Sequence, residues 1–171
     1  NRLVIVSASA GVTNFLVRLS QKDVPQLEQE DIIANIKAIQ LNITKHLAND
    51  VEIALNNEIS ELLTTLTALA LQQSITYSGR LSDHILSFGE QLSSRIFAKV
   101  LQQEGINGAY FDVKQVMKTN SLYGKAVVDI QQLQSACSSA LVPLLAKQVS
   151  VTQGFIGQDS LGETTTLGRG G

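Results

Sequence analysis

The chain has 171 residues, 44% of them hydrophobic and 16% charged, with thirteen Lys and Arg against fifteen Asp and Glu for a net charge of −2. That is the length of one domain with enough apolar residues for a substantial core, which excludes general disorder; with no basic excess, nucleic acid and anionic membranes are not expected partners. The single cysteine, Cys137, excludes an internal disulfide framework and fits a reducing cytosol, so a cytoplasmic location is expected.

The opening "NRLVIVSASAG" reads as a strand rather than a signal peptide, and no stretch reaches the length of a membrane span. "RLVIVSAS" is β-branched and apolar without alternation, the pattern of a parallel strand covered on both faces. "AGVTN" follows as a tight turn, and "TNFLVRLSQ" carries helical spacing with Thr13 or Asn14 placed to cap it. Three amphipathic helices come next, with stripes Ile32–Ile36–Ile39–Ile43–Leu47, Leu55–Ile59–Leu62–Leu66–Leu69 and Leu81–Ile85–Phe88–Leu92–Ile96. The spacing predicts that these stripes pack internally, and Gly105 in "EGINGA" terminates the third helix. The α/β pattern then returns. "AYFDV" reads as a short strand, "VDIQQLQSACSSALVPLLAKQ" as a helix interrupted near Pro143 with Cys137 on its apolar face, "VSVTQGFIG" as a buried strand, and "ETTTLG" as a further strand.

Three stretches could carry chemistry. "SASAGVTN" sets the hydroxyls of Ser7, Ser9 and Thr13 between a strand and a helix, where open α/β sheets gather ligands; an ordinary capped turn reads the same way. In "SFGEQLSS", Glu90 stands inside an apolar helix face with Gly89 making room beside it. A carboxylate there needs a cation, either a Lys or Arg of the protein or the ammonium of a ligand. "TQGFIG…GETTTLGRGG" offers two glycine turns around a hairpin-like segment, with exposed amides, Thr hydroxyls and an Arg suited to anionic groups. No P-loop, no GxGxxG and no His or Cys pair at metal spacing is present; His46 and His84 are isolated and read as surface or helix-flanking residues.

The motifs "VIVSASAGVTNFLV", "SFGEQLSSRIFA", "FDVKQVMKTN" and "VTQGFIGQDSLGETTTLGRGG", in that order, resemble the aspartokinase family, and "FDVKQVMKTN" resembles its monofunctional, lysine-sensitive type. The resemblance implies the amino-acid-kinase fold, a three-layer α/β/α sandwich around a mainly parallel sheet. Here it would be incomplete, with residues 1–171 forming a partial kinase domain, a helical insertion at about residues 25–104, and no regulatory ACT domains. It implies transfer of the γ-phosphoryl of ATP, with Mg²⁺, to the β-carboxylate of L-aspartate, the first step towards lysine, threonine and methionine, in a cytoplasmic homo-oligomer.

Carried onto matching positions, the resemblance makes Glu90 the acceptor of the substrate's α-ammonium and Arg169 the holder of its α-carboxylate. Ser7 and Thr13 would orient the β-carboxylate, and Phe155, Ile156 and Gly157 would wall the pocket. The family's Lys-Phe-Gly-Gly-Thr-Ser opening, whose Lys faces the phosphoryl group, does not occur in this sequence. A chain that opens inside a strand and stops on "LGRGG" is therefore expected to be a truncated, inactive segment. The competing readings are another kinase of the same fold, acting on acetylglutamate, glutamate or a nucleoside monophosphate, or a non-catalytic substrate-binding module.

Overall fold

A computed structural model describes residues 2–168. Its main sheet is parallel, with β1 (Arg2–Val6), β3 (Val149–Gln153) and β2 (Gly108–Tyr110) in the order β1-β3-β2, and Val4 and Tyr110 both pairing with Val151. The central strand β3 is buried from Ser150 to Gln153. Strand β1 is not covered on both faces as its apolar run suggested. Among the described residues it has β3 alone as neighbour, and Leu3 and Ile5 are 40% and 63% exposed.

Between β1 and β2 lie α1 (Val12–Leu19), α2 (Gln26–Thr44), α3 (Asn49–Ile75), α4 (Gly79–Leu86) and α5 (Phe88–Gln103). Helix α1 starts one residue before the expected cap. Gly11, at φ 85°, holds the N-cap position, and neither Thr13 nor Asn14 caps the helix. The α2 and α3 stripes pack on each other: Ile32, Ile36, Leu55, Ile59 and Leu66 are buried, and Ile39, Leu47, Leu62 and Leu69 border the same core, while Ile43 reaches the surface.

The third predicted helix is two. Ser87 separates α4 from α5, with its Oγ donating to the His84 carbonyl at 2.6 Å, a local bond that competes with the helical ladder. Hydrogen bonds still cross the break, from the Ser87 amide to the Asp83 carbonyl and from the Gln91 amide to the Ser87 carbonyl, so Leu81, Ile85, Phe88, Leu92 and Ile96 all stay buried. Gly105 ends α5 as predicted. At φ 74° it donates to the Gln102 carbonyl while Ile106 donates to that of Leu101, the paired bonds of a Schellman end.

The predicted last helix runs as α6 (Ile130–Ala136), a π-helical stretch (Cys137–Leu141) and α7 (Val142–Leu145). The widened turn precedes Pro143, which has no amide hydrogen and crowds the turn before it. Cys137 is half-buried against a second core formed by Phe111, Val113, Val116, Leu141 and Ile156. Strands β4 (Ile156–Gln158) and β5 (Thr164–Thr166) form the antiparallel hairpin anticipated from the two glycine turns.

Candidate active site

A cleft of about 650 Å³ opens at the carboxyl ends of β1 and β3. Ser7 follows β1 directly, and Thr13 and Val17 come from α1. Leu86 ends α4, Glu90 lies in the first turn of α5, and Phe155 follows β3. Gly124, Thr166 and Gly168 close the opposite side. Four residues singled out in the sequence thus meet in one cavity, although Glu90 is more than seventy positions from Thr13 and sixty-five from Phe155. Ser7 and Thr13 sit on the solvent-open side, Glu90 on the buried side.

Glu90 is 9% exposed. Among the described residues the one protein group it engages beyond its own backbone is the Ala8 amide, which donates to Oε1 at a long 3.4 Å. Among the described residues the ion pairs are Arg18–Glu28, Arg80–Glu163, Arg95–Glu58 and Lys114–Asp112, and none involves Glu90. The structural pair that could have explained this carboxylate is absent there. Burial pushes its pKa up, and the backbone amides of Glu90 and Ala8 oppose that shift only in part. Gly89 brings the loop this close: a Cβ there would lie 2.6 Å from the Cβ of Ala8.

Phe155 reaches the cleft through a strained turn. Its φ is +67°, and the Ile156 amide donates to the Gly154 carbonyl at 2.7 Å across it, a γ-turn of the rare positive-φ kind. Two bonds hold the turn from outside, Gly154 amide to Val6 carbonyl and Leu167 amide to Phe155 carbonyl.

The far wall hangs on a residue that did not stand out in the sequence. Asp83, 1% exposed, accepts hydrogen bonds from the Gly124 amide at 2.9 Å on both oxygens, from the Thr166 amide at 2.7 Å and from Thr166 Oγ1 at 2.9 Å. Thr165 Oγ1 meets Thr119 Oγ1 at 2.7 Å. The hydroxyls of Thr165 and Thr166, expected to suit an anion, are therefore engaged inside the fold.

Two expected wall residues are placed elsewhere. Ile156 is fully buried in the second core, and Gly157 lies against Met117 and Thr119, where a Cβ would come within 2.9 Å of the Met117 carbonyl. Arg169 lies outside the described residues. His46 is exposed as expected; His84 is half-buried and stacks on Phe88 with ring centroids 5.8 Å apart, and its burial pushes its pKa down.

The cleft lies off the strand ends of a parallel α/β sheet, where that fold gathers ligands, and sets hydroxyls and apolar side chains beside one carboxylate that has no protein cation among the described residues. The family model described as "Amino acid kinase family" matches residues 1–171, and the chain belongs to that family. It is similar to the lysine-sensitive aspartokinase 3 of Escherichia coli (strain K12), with 38% identity over 99% of this chain and 37% of that protein. It is also similar to the aspartokinase of Chlamydia trachomatis, with 30% identity over 98% of this chain and 36% of that one. The crystal structure of E. coli aspartokinase III in complex with aspartate and ADP superposes with a TM-score of 0.94 at 39% identity, over 99% of this chain and 37% of that chain. The chain thus spans somewhat over a third of the length of these relatives.

Proposed function

We propose that this chain is the aspartate-binding part of the kinase domain of an aspartokinase, which transfers the γ-phosphoryl group of ATP to L-aspartate in a cytoplasmic homo-oligomer. The observation that carries the reading is Glu90, a buried carboxylate facing a cleft that also holds the Ser7 and Thr13 hydroxyls, with no cation beside it among the described residues. A ligand ammonium supplies the missing charge. The similarity to an enzyme crystallised with aspartate and ADP supports aspartate as its bearer.

With the α-ammonium on Glu90, the β-carboxylate of aspartate extends towards the open side, where Ser7 and Thr13 donate hydrogen bonds that fix its direction. One of its oxygens attacks the γ-phosphorus in line, the bond from phosphorus to the bridging oxygen breaks, and ADP leaves with the electron pair, giving 4-phospho-L-aspartate. The chain's contribution is orientation, which in such transfers is a leading source of rate. Phe155 shields one side of the pocket from water, and Arg169 is assigned the α-carboxylate. Mg²⁺ would enter with ATP and neutralise charge on its phosphates.

Calorimetry with L-aspartate and succinate tests the reading. Succinate keeps both carboxylates and lacks the ammonium, so aspartate should bind at least about tenfold tighter. Equal affinity would remove Glu90 from the role and the proposal with it.

A further inference from the structure

Asp83 and Glu90 stand seven residues apart on the α4–α5 run, two helical turns along one face. Glu90 faces the cleft, while Asp83 spends its acceptors on the opposite wall. All its donors are neutral: two backbone amides and one hydroxyl, from segments 41 and 83 residues distant in sequence. These segments also hold each other. The Ala126 amide donates to the Thr166 carbonyl at 2.8 Å, and Gly168 lies so close that a Cβ there would be 2.9 Å from the Gly124 carbonyl oxygen. Asp83 is therefore the point where the helix run, the 124 turn and the end of β5 converge.

We propose that Asp83 is a positioning residue of the aspartate site: its carboxylate locks Gly124 and Thr166 into one wall and fixes that wall's distance from Glu90. The proposal rests on the aspartate reading of the cleft. Its geometry demands a group that only accepts. Each oxygen receives two N–H or O–H donors, so an amide in its place turns one NH₂ towards the Gly124 N–H and loosens that wall without changing side-chain size.

The test uses Asp83→Asn in the protein as encoded, with Asp83→Ala as the harsher variant. Hydrogen exchange is followed at the amides of Gly124, Thr166 and, as a reference, Val151. Exchange at Gly124 and Thr166 should quicken by about tenfold or more in Asp83→Asn while Val151 stays within about twofold. In the intact enzyme the KM for aspartate should rise by about tenfold with that for ATP within about twofold, the split expected of a displaced wall.

Unchanged protection at Gly124 and Thr166, or an equal rise in both KM values, would overturn the assignment; a merely structural role would also quicken exchange at Val151. If the parent protein binds no aspartate, the functional reading fails separately, and the exchange comparison still decides whether Asp83 holds the wall. Should Asp83→Ala fail to fold, Asp83→Asn decides alone.

Discussion

Replacing Glu90 with Gln separates what the residue does for the fold from what it does for a ligand. The substitution keeps size and an oxygen for the Ala8 amide, and removes only the charge. In the ligand-free protein that charge is a burden. Desolvation raises the folded pKa above the usual glutamate value of 4.5, so the stability tied to the neutral carboxyl is fully present below that value and is lost as pH rises through the raised one. Gln never ionises. Near neutral pH the ligand-free variant should therefore be at least as stable as the parent, each kcal/mol recovered lifting Tm by about 2–4 °C, with the difference closing below about pH 4.5. Binding should go the other way. Losing a charge-assisted bond to an ammonium costs about 1.5–3 kcal/mol, or roughly ten- to a hundredfold in aspartate affinity, with little change for ATP. Melting curves at several pH values beside aspartate titrations make both measurements. A variant that melts lower than the parent at neutral pH, and whose aspartate and ATP constants worsen together, would refute the reasoning.

The same linkage predicts that aspartate affinity in the parent falls on acidification as Glu90 gains a proton, and that Glu90→Gln flattens this dependence; calorimetry across pH 5–8 reads it. Gly89→Ala should cost roughly 1–3 kcal/mol in chemical denaturation, because its Cβ lands 2.6 Å from that of Ala8 and the β1–α1 loop must retreat. In the intact enzyme Thr13→Val should lower kcat/KM for aspartate by about tenfold in a coupled ADP assay while leaving Tm within about 3 °C, since Thr13 is exposed and caps nothing. Gly105→Ala, forced to hold φ at 74°, should lose about 1 kcal/mol of stability with no effect on aspartate binding.

The elements that could be read from the sequence carry strong local patterns. The α2 and α3 stripes, the buried β3 and the Gly105 helix end follow from residues within a turn or two of one another. Glu90 was legible for a related reason, since a carboxylate inside "SFGEQL" conflicts with its own surroundings. Asp83 gave no such signal. It sits among Ser82 and His84 in a polar-looking turn, and its four bonds come from residues whose proximity only the tertiary fold creates. The break at Ser87 was hidden because the apolar spacing runs through it unchanged. The resemblance puts Ile156 and Gly157 in the pocket along with Phe155, but the turn at Phe155 and the alternation of β4 send them into the second core and against Thr119. The cover expected over β1 is missing among the described residues, where β3 alone pairs with it and Leu3 and Ile5 stay exposed; an apolar run does not by itself say what packs on it.

The two cores bear on how the cleft behaves as a machine part. Glu90 and Leu86 ride on the helical core, Phe155 on the smaller one, and the ties from α4 to the hairpin, Asp83 to Thr166 and Arg80 to Glu163, are polar. Asp83 and Thr166 are each 1% exposed, so water does not reach that tie, and the seam keeps its width. A ligand that touches both sides must fit a gap it does not set. One too short to reach Glu90 and Phe155 together gives up one of the two contacts, and one too long meets the far wall. Selection by length then lies in the width of the cleft, rather than in any single contact.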